Sequence, residues 1–184
     1  MFIGITGTNG SGKGAVVEYL LAAKKFSHYS GRAIILEEIQ RRGLDPKRST
    51  LREIANDLRK KHGPACIIER LYAMAQGEEN VVLESVRTIG EAEFLKSKGA
   101  KIIAVDAKKE IRYERVISMT HDPFPITFQD FEYLENREMS SSEPWDMNVF
   151  GVMQMADARI QNDGTLEELH EKVDKVLEQF AQES

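Results

Sequence analysis

Short runs of apolar, often β-branched residues alternate along the chain with longer stretches whose apolar positions recur every three or four residues. That alternation predicts an open parallel sheet with crossover helices. Phe2 to Thr6 reads as the first strand, followed by a glycine-rich loop and a helix from Lys13 to about Lys25. His28-Tyr29-Ser30 fits a very short second strand. Asn80 to Glu84 and Lys101 to Asp106 are bounded β-branched runs, expected as central strands with the helix Thr88 to Lys98 crossing between them. Thr50 with Glu53, Thr88 with Glu91 and Thr165 with Glu168 have capping-box spacing and predict three helix starts. The helix from Thr50 should end near Gly63, and Pro64 suits the first turn of the next, running to about Gln76. In the last helix Leu166, Leu169, Val173, Val176, Leu177 and Phe180 share one face, expected to be core. Between about residues 120 and 156 the pattern breaks up around Pro123, Pro125, Ser140-Ser141-Ser142 and Pro144. This predicts either a mobile flap over a site or a plain surface excursion.

At 184 residues the chain suits one α/β domain, 1–184, and not two of ordinary size. The net charge of −5 argues against nucleic acid as the main partner, which needs clustered positive charge. No apolar run is long enough for a bilayer, so no membrane partner is expected. Met1 runs straight into the first strand without an export signal, and a single Cys66 has no disulfide partner, so the expected location is the cytoplasm. His28, His62, His121 and His170 form no pair at zinc-ligand spacing.

The strongest chemical signal is Gly7-Thr8-Asn9-Gly10-Ser11-Gly12-Lys13, set between a strand and a helix. In that context glycines let the backbone wrap phosphate oxygens, amides point at the anion, and Lys13 adds positive charge. The position after Lys13 is Gly14 and the next is Ala15, where such loops usually carry a magnesium-binding hydroxyl. Any Mg2+ is therefore expected on the nucleotide phosphates and water, with Glu84 or Asp106 behind them.

Gly12-Lys13-Gly14 resembles the loop of adenylate kinases, and Glu84-Ser85-Val86-Arg87 is similar to their Asp-Gly-Phe-Pro-Arg segment. Ala156 to Thr165 resembles the closing strand and loop of dephospho-coenzyme-A kinases and adenylate kinases. His28 to Arg32 resembles the acceptor-binding stretch of the latter. The resemblance implies a P-loop NTPase fold of the nucleoside-monophosphate-kinase type: a five-stranded parallel sheet flanked by helices, with acceptor-binding helices over about 30–77 and a helical lid over about 120–156. It implies that ATP binds through Gly7, Thr8, Asn9, Gly10, Ser11, Gly12, Lys13, Gly14 and Ala15, with Asn162 and Gly164 near adenine. Lys13, Arg87, Arg112, Arg115 and Arg137 would stabilise the transferring phosphate. Ser30, Gly31, Arg32, Arg59 and Arg87 would hold the acceptor, and Glu84 would stand behind magnesium. Each arginine is otherwise readable as a solvated or ion-paired surface group.

The expected activity is ATP-dependent transfer of the γ-phosphate to a small nucleotide acceptor, a nucleoside or deoxynucleoside monophosphate. Two alternatives stay open from sequence: a dephospho-coenzyme-A kinase, or a nucleotide-binding switch with weak ATPase activity. The departure at Gly14 and Ala15 favours the latter.

Overall fold

The apolar runs form strands because both faces of the sheet are covered, so no polar alternation is required of them. The computed structural model describes residues 1–120 and 126–183. Its strands are β1 (Phe2–Gly7), β2 (Ser27–Ser30), β3 (Val81–Glu84), β4 (Lys101–Asp106) and β5 (Ala158–Gln161). All pair in parallel, in the order β2-β3-β1-β4-β5. The helices are α1 (Lys13–Lys24), α2 (Gly31–Arg41), α3 (Arg48–His62), α4 (Cys66–Met74), α5 (Ile89–Ser97), α6 (Lys109–Thr120), α7 (Phe128–Met139), α8 (Val149–Gln154) and α9 (Leu166–Gln182). The five-stranded parallel sheet flanked by helices is the P-loop kinase fold expected from the sequence.

Successive strand residues point to opposite faces and build two cores. On one face Ile3, Ile5, Val82, Ile103, Val105 and Ile160 pack with Val16, Val17 and Leu20 of α1 and with Leu169, Val173 and Phe180 of α9. On the other, Val81, Leu83 and Ile102 pack with Ile34, Ala55, Ile67, Ile68, Leu71 and Leu95 from α2 to α5. The chain reverses at β1, the central strand, with β3 on one side and β4 on the other. That arrangement opens a crevice at the strands' C-terminal ends, the usual ligand position in open α/β sheets.

Two of the three expected capping boxes form: Thr88 with Glu91 at α5 and Thr165 with Glu168 at α9. The third does not. α3 begins at Arg48 with Lys47 as its cap, and no side chain caps it, so Thr50 lies within the first turn. Lys47 is extended, at φ −73° and ψ 159°, and the helical conformation begins at the next residue. Leu166, expected in the core, is 54% exposed because the first turn of α9 lies beyond the apolar stripe. The segment expected as a flap is smaller at its C-terminal side. Val149, Val152 and Met153 of α8 are buried, Val152 within one of the two cores, so among the described residues α7 and the turns after it are what is left of that segment. Pro123 and Pro125, on which part of that expectation rested, lie outside the described residues.

Candidate active site

The loop after β1 is shaped by contacts that leave no room for side chains. Gly10 has φ +76°, and a Cβ there would lie 2.4 Å from the Arg112 carbonyl oxygen. Gly12, at φ +93°, would meet the Asn162 amide at 2.2 Å. Both conformations are costly for an L side chain, and both neighbours are fixed. Gly12 is also the cap residue of α1 and supplies no side chain to the first-turn amides, so they remain free for an anion.

Neighbouring elements lock this loop from outside. The Thr8 hydroxyl donates to Asp106 Oδ1 at 2.6 Å. Asn162, after β5, donates through Nδ2 to the Ser11 carbonyl at 2.8 Å and is itself buried. Arg112 on α6 donates through Nε to Ala107 O at 2.8 Å and through Nη1 to Asn9 O at 3.2 Å. Its guanidinium also forks onto Glu135 of α7, Nη2 to Oε2 at 3.0 Å and Nη1 to Oε1. With Arg112 5% and Glu135 7% exposed, this is a buried ion pair. Arg112 reaches the loop as expected, but with its donors spent on protein. Arg115, one turn on and half-buried, donates through Nη1 to the Ser11 carbonyl at 3.5 Å. The Ser11 hydroxyl is buried without a hydrogen-bond partner among the described residues, an unmet polar group inside the glycine loop.

Lys13 Nζ donates to Gly7 O at 3.0 Å and Thr8 O at 2.6 Å. Burial, then the Arg87 guanidinium, lowers its pKa to about 7 from the ordinary 10.5, against the opposing pull of Glu84 and Glu138. The amine therefore awaits an anion that restores its charge.

Beside Lys13 opens a cavity of about 480 Å³. Asn9 and Lys13 form its phosphate-loop end; Ser30, Gly31, Arg32, Arg59 and Arg87 all line it, with Glu84 at the tip of β3. Ile35, Leu51, Ala55, Ile67 and Met147 supply apolar wall. The five residues expected to hold an acceptor, scattered between positions 30 and 87 of the sequence, thus share one cavity with the lysine of the glycine loop. Glu84 Oε2 lies 3.0 Å from His28 Nε2. Gly14 and Gly164 are exposed, and Ala15 is half-buried against the α1 core. Arg137 is not brought in: it is exposed on α7, near the Tyr133 ring, and lines a separate cleft of about 240 Å³ with Ser49, Arg52 and Glu53 of α3.

Three features escaped the sequence reading. Ser85 lines the cavity at φ +78°, a conformation usual for glycine. The resembling kinase segment has Gly at that place, which was the available signal. Glu138 of α7 approaches Arg87 Nη1 at 3.5 Å. Glu91, read only as a cap, also binds Arg59. Among the described residues no group of three or more His, Cys, Asp or Glu is placed to hold a metal.

A central parallel sheet, a glycine loop wrapped at the head of α1 and a basic cavity beside its lysine define a protein with the P-loop kinase fold. Residues 6–123 match the AAA domain family, and the chain belongs to it. A UPF0200 protein of Thermococcus kodakarensis is 27% identical over 188 residues, spanning 98% of both chains. A UPF0200 protein of Methanococcus vannielii is 27% identical over 183 residues, spanning 97% of this chain and 95% of its own. In fold, the chain resembles a shikimate kinase from Aquifex aeolicus (TM-score 0.58, 19% identity, all of both chains). It also resembles a gluconokinase from Sinorhizobium meliloti (TM-score 0.56, 16% identity, 99% and 96% of the two chains). Among the described residues no helix is long and apolar enough to cross a membrane.

Proposed function

We propose that this protein transfers the γ-phosphate of ATP to a small anionic acceptor, a nucleoside or deoxynucleoside monophosphate. One observation carries the reading: the cavity continuous with Lys13 is lined by Arg32, Arg59 and Arg87 alongside apolar wall. Guanidinium groups grip a phosphate through paired, charge-assisted hydrogen bonds, while apolar wall suits a base. A monophosphate is already ionised at neutral pH and needs no general base, so catalysis reduces to alignment and charge stabilisation. Lys13, Arg87 and Arg115 supply that charge; Arg112 and Asn162 hold the loop in shape; Asn162 and Gly164 edge the adenine position. The donor set fits magnesium only as an ion carried by the nucleotide phosphates, with Glu84 behind it, because Gly14 and Ala15 offer no hydroxyl. When bound, the ion neutralises phosphate charge.

A second reading has a specific support. Glu84 reaches the same cavity with His28 on one oxygen, which would let it accept a proton from an alcohol. That favours an alcohol acceptor such as dephospho-coenzyme A. ADP formation is to be measured with ATP alone and with each ribo- and deoxynucleoside monophosphate or dephospho-coenzyme A. Turnover that needs a monophosphate supports the first reading, and turnover only with dephospho-coenzyme A the second. Hydrolysis indifferent to every acceptor rejects both in favour of a switch.

A further inference from the structure

Glu91 does more than cap α5. Its Oε2 accepts the Thr88 amide at 3.1 Å, as a capping box requires, and also the Arg87 amide at 2.7 Å. Its Oε1 accepts both Nε and Nη2 of Arg59, at 3.0 and 2.8 Å, across 32 residues. Glu91 is 1% and Arg59 3% exposed, so one buried carboxylate fixes the side chain of one arginine and the backbone of another. After that pairing Arg59 has one group left: Nη1, buried and without a hydrogen-bond partner among the described residues. A buried guanidinium donor left unpaired is costly in a folded protein. Arg59 lines the cavity, and so does Arg87, so a ligand there is what would complete both.

We infer that Glu91 is a positioning residue that joins Arg59 and Arg87 into one oxyanion clamp, whose ligand is the phosphomonoester group of the acceptor. The inference rests on the proposed reading for the transfer step, not for binding. A dianion is favoured over a carboxylate by the charge left over. Arg52 is neutralised by Asp146 at 2.6 Å, but Arg32, exposed at the same cavity, makes no ion pair among the described residues. Among the described residues the Arg87 side chain has the 3.5 Å approach of Glu138 and a weak contact of Nη1 with Met147 Sδ at 3.8 Å. With Arg59 balanced by Glu91, Arg32 and the loosely paired Arg87 are the guanidinium charges left to meet a dianion, and Arg59 adds its spare Nη1 donor. Glu91 was readable from sequence only as a cap, because its partner Arg59 is on another helix.

The test uses the full chain with its phosphate loop first saturated by a non-hydrolysable ATP analogue. Inorganic phosphate, nucleoside monophosphates, shikimate and gluconate are then titrated by calorimetry into wild type, Arg59→Lys and Glu91→Gln. The double variant Arg59→Met/Glu91→Gln removes both buried charges and guards against a folding failure. A phosphomonoester is expected to bind wild type and to weaken roughly ten-fold or more in Arg59→Lys and in the double variant. Affinity for the ATP analogue should stay within about two-fold. In turnover, Glu91→Gln should raise KM for the acceptor with little change in KM for ATP, a split that general destabilisation would not produce. Phosphomonoester binding unchanged in folded Arg59→Lys overturns the clamp, as does binding of shikimate or gluconate with no phosphomonoester. Clamp behaviour without any transfer by wild type supports the clamp and rejects the proposed reaction. Transfer at wild-type acceptor KM in Arg59→Lys rejects the clamp alone.

Discussion

Around the loop from Gly7 to Lys13 the polar side chains are spent on the loop itself. Thr8 is tied to Asp106, Asn162 to Ser11, and Arg112 to Asn9, Ala107 and Glu135. Across Lys13, in the cavity, Arg32 makes no ion pair and one buried nitrogen of Arg59 has no hydrogen-bond partner among the described residues, and Arg87 is only loosely engaged. One region presents backbone amides and uses side chains as scaffolding; the other uses scaffolding to present side chains. On the proposed reading, phosphate affinity on the ATP side is a property of loop shape, whereas selectivity on the acceptor side resides in a few guanidinium groups. Substitutions should divide accordingly.

Lys13 is the residue both regions share, and its loss should have the largest effect. Lys13→Ala is expected to lower turnover by roughly 100- to 1,000-fold, the range for deleting one transition-state charge donor. It should remain folded, since the removed amine was held at an unfavourable pKa. Steady-state kinetics with a melting curve checks both; undiminished turnover would break the comparison at its hinge.

Glu135→Gln probes the scaffolding. It leaves the buried Arg112 guanidinium without its counter-charge and should cost about 3 kcal/mol of stability, read as a lower urea midpoint. ATP binding should weaken with it, because Arg112 also secures Asn9. A variant that altered only the acceptor KM would contradict the division.

The lowered pKa of Lys13 predicts a proton linkage. Phosphate binding restores its charge, so nucleotide binding should take up about one proton where the free lysine is neutral. Affinity should therefore fall as pH rises through about 7 towards 10.5. The ligand-free fold behaves oppositely. The unfolded lysine holds its proton up to 10.5 and the folded one only to about 7, so this group's contribution to stability rises with pH across that window. Calorimetry at pH 8.5 in buffers of different ionisation enthalpy reads the uptake; heats independent of buffer would refute it.

The smallest effect is expected at Gly14. A Cβ there meets nothing within 4 Å, so Gly14→Ser should fit. Better helix propensity should raise stability by about 0.5 kcal/mol. The hydroxyl should lower the magnesium concentration needed for half-maximal turnover, and a higher requirement would show that the loop excludes the ion for another reason.

What was legible in the sequence follows the same division. The phosphate loop, the first four strands and two capping boxes depend on residues close in sequence, so local pattern and spacing revealed them. The start of α3 at Arg48 and the burial of Val152 depend on where the chain enters and what packs over it. Arg112 was recognised as belonging to the loop, but its commitment to Glu135 needs α7 folded back across 23 residues. The resemblance gathered Ser30, Gly31, Arg32, Arg59 and Arg87 as acceptor residues, and all five line one cavity; the Gly of the resembling segment was the one signal for Ser85, and nothing local marked the second role of Glu91.

The central claim is transfer to a bound acceptor phosphate, and the fate of the γ-phosphate tests it most directly. ATP carrying heavy oxygen on that group should be incubated with the protein, magnesium and the monophosphate panel, and the products analysed by mass spectrometry. The account predicts that the labelled phosphoryl group appears in a nucleoside diphosphate formed from one of the monophosphates. Label found only in inorganic phosphate, whatever acceptor is present, would contradict it.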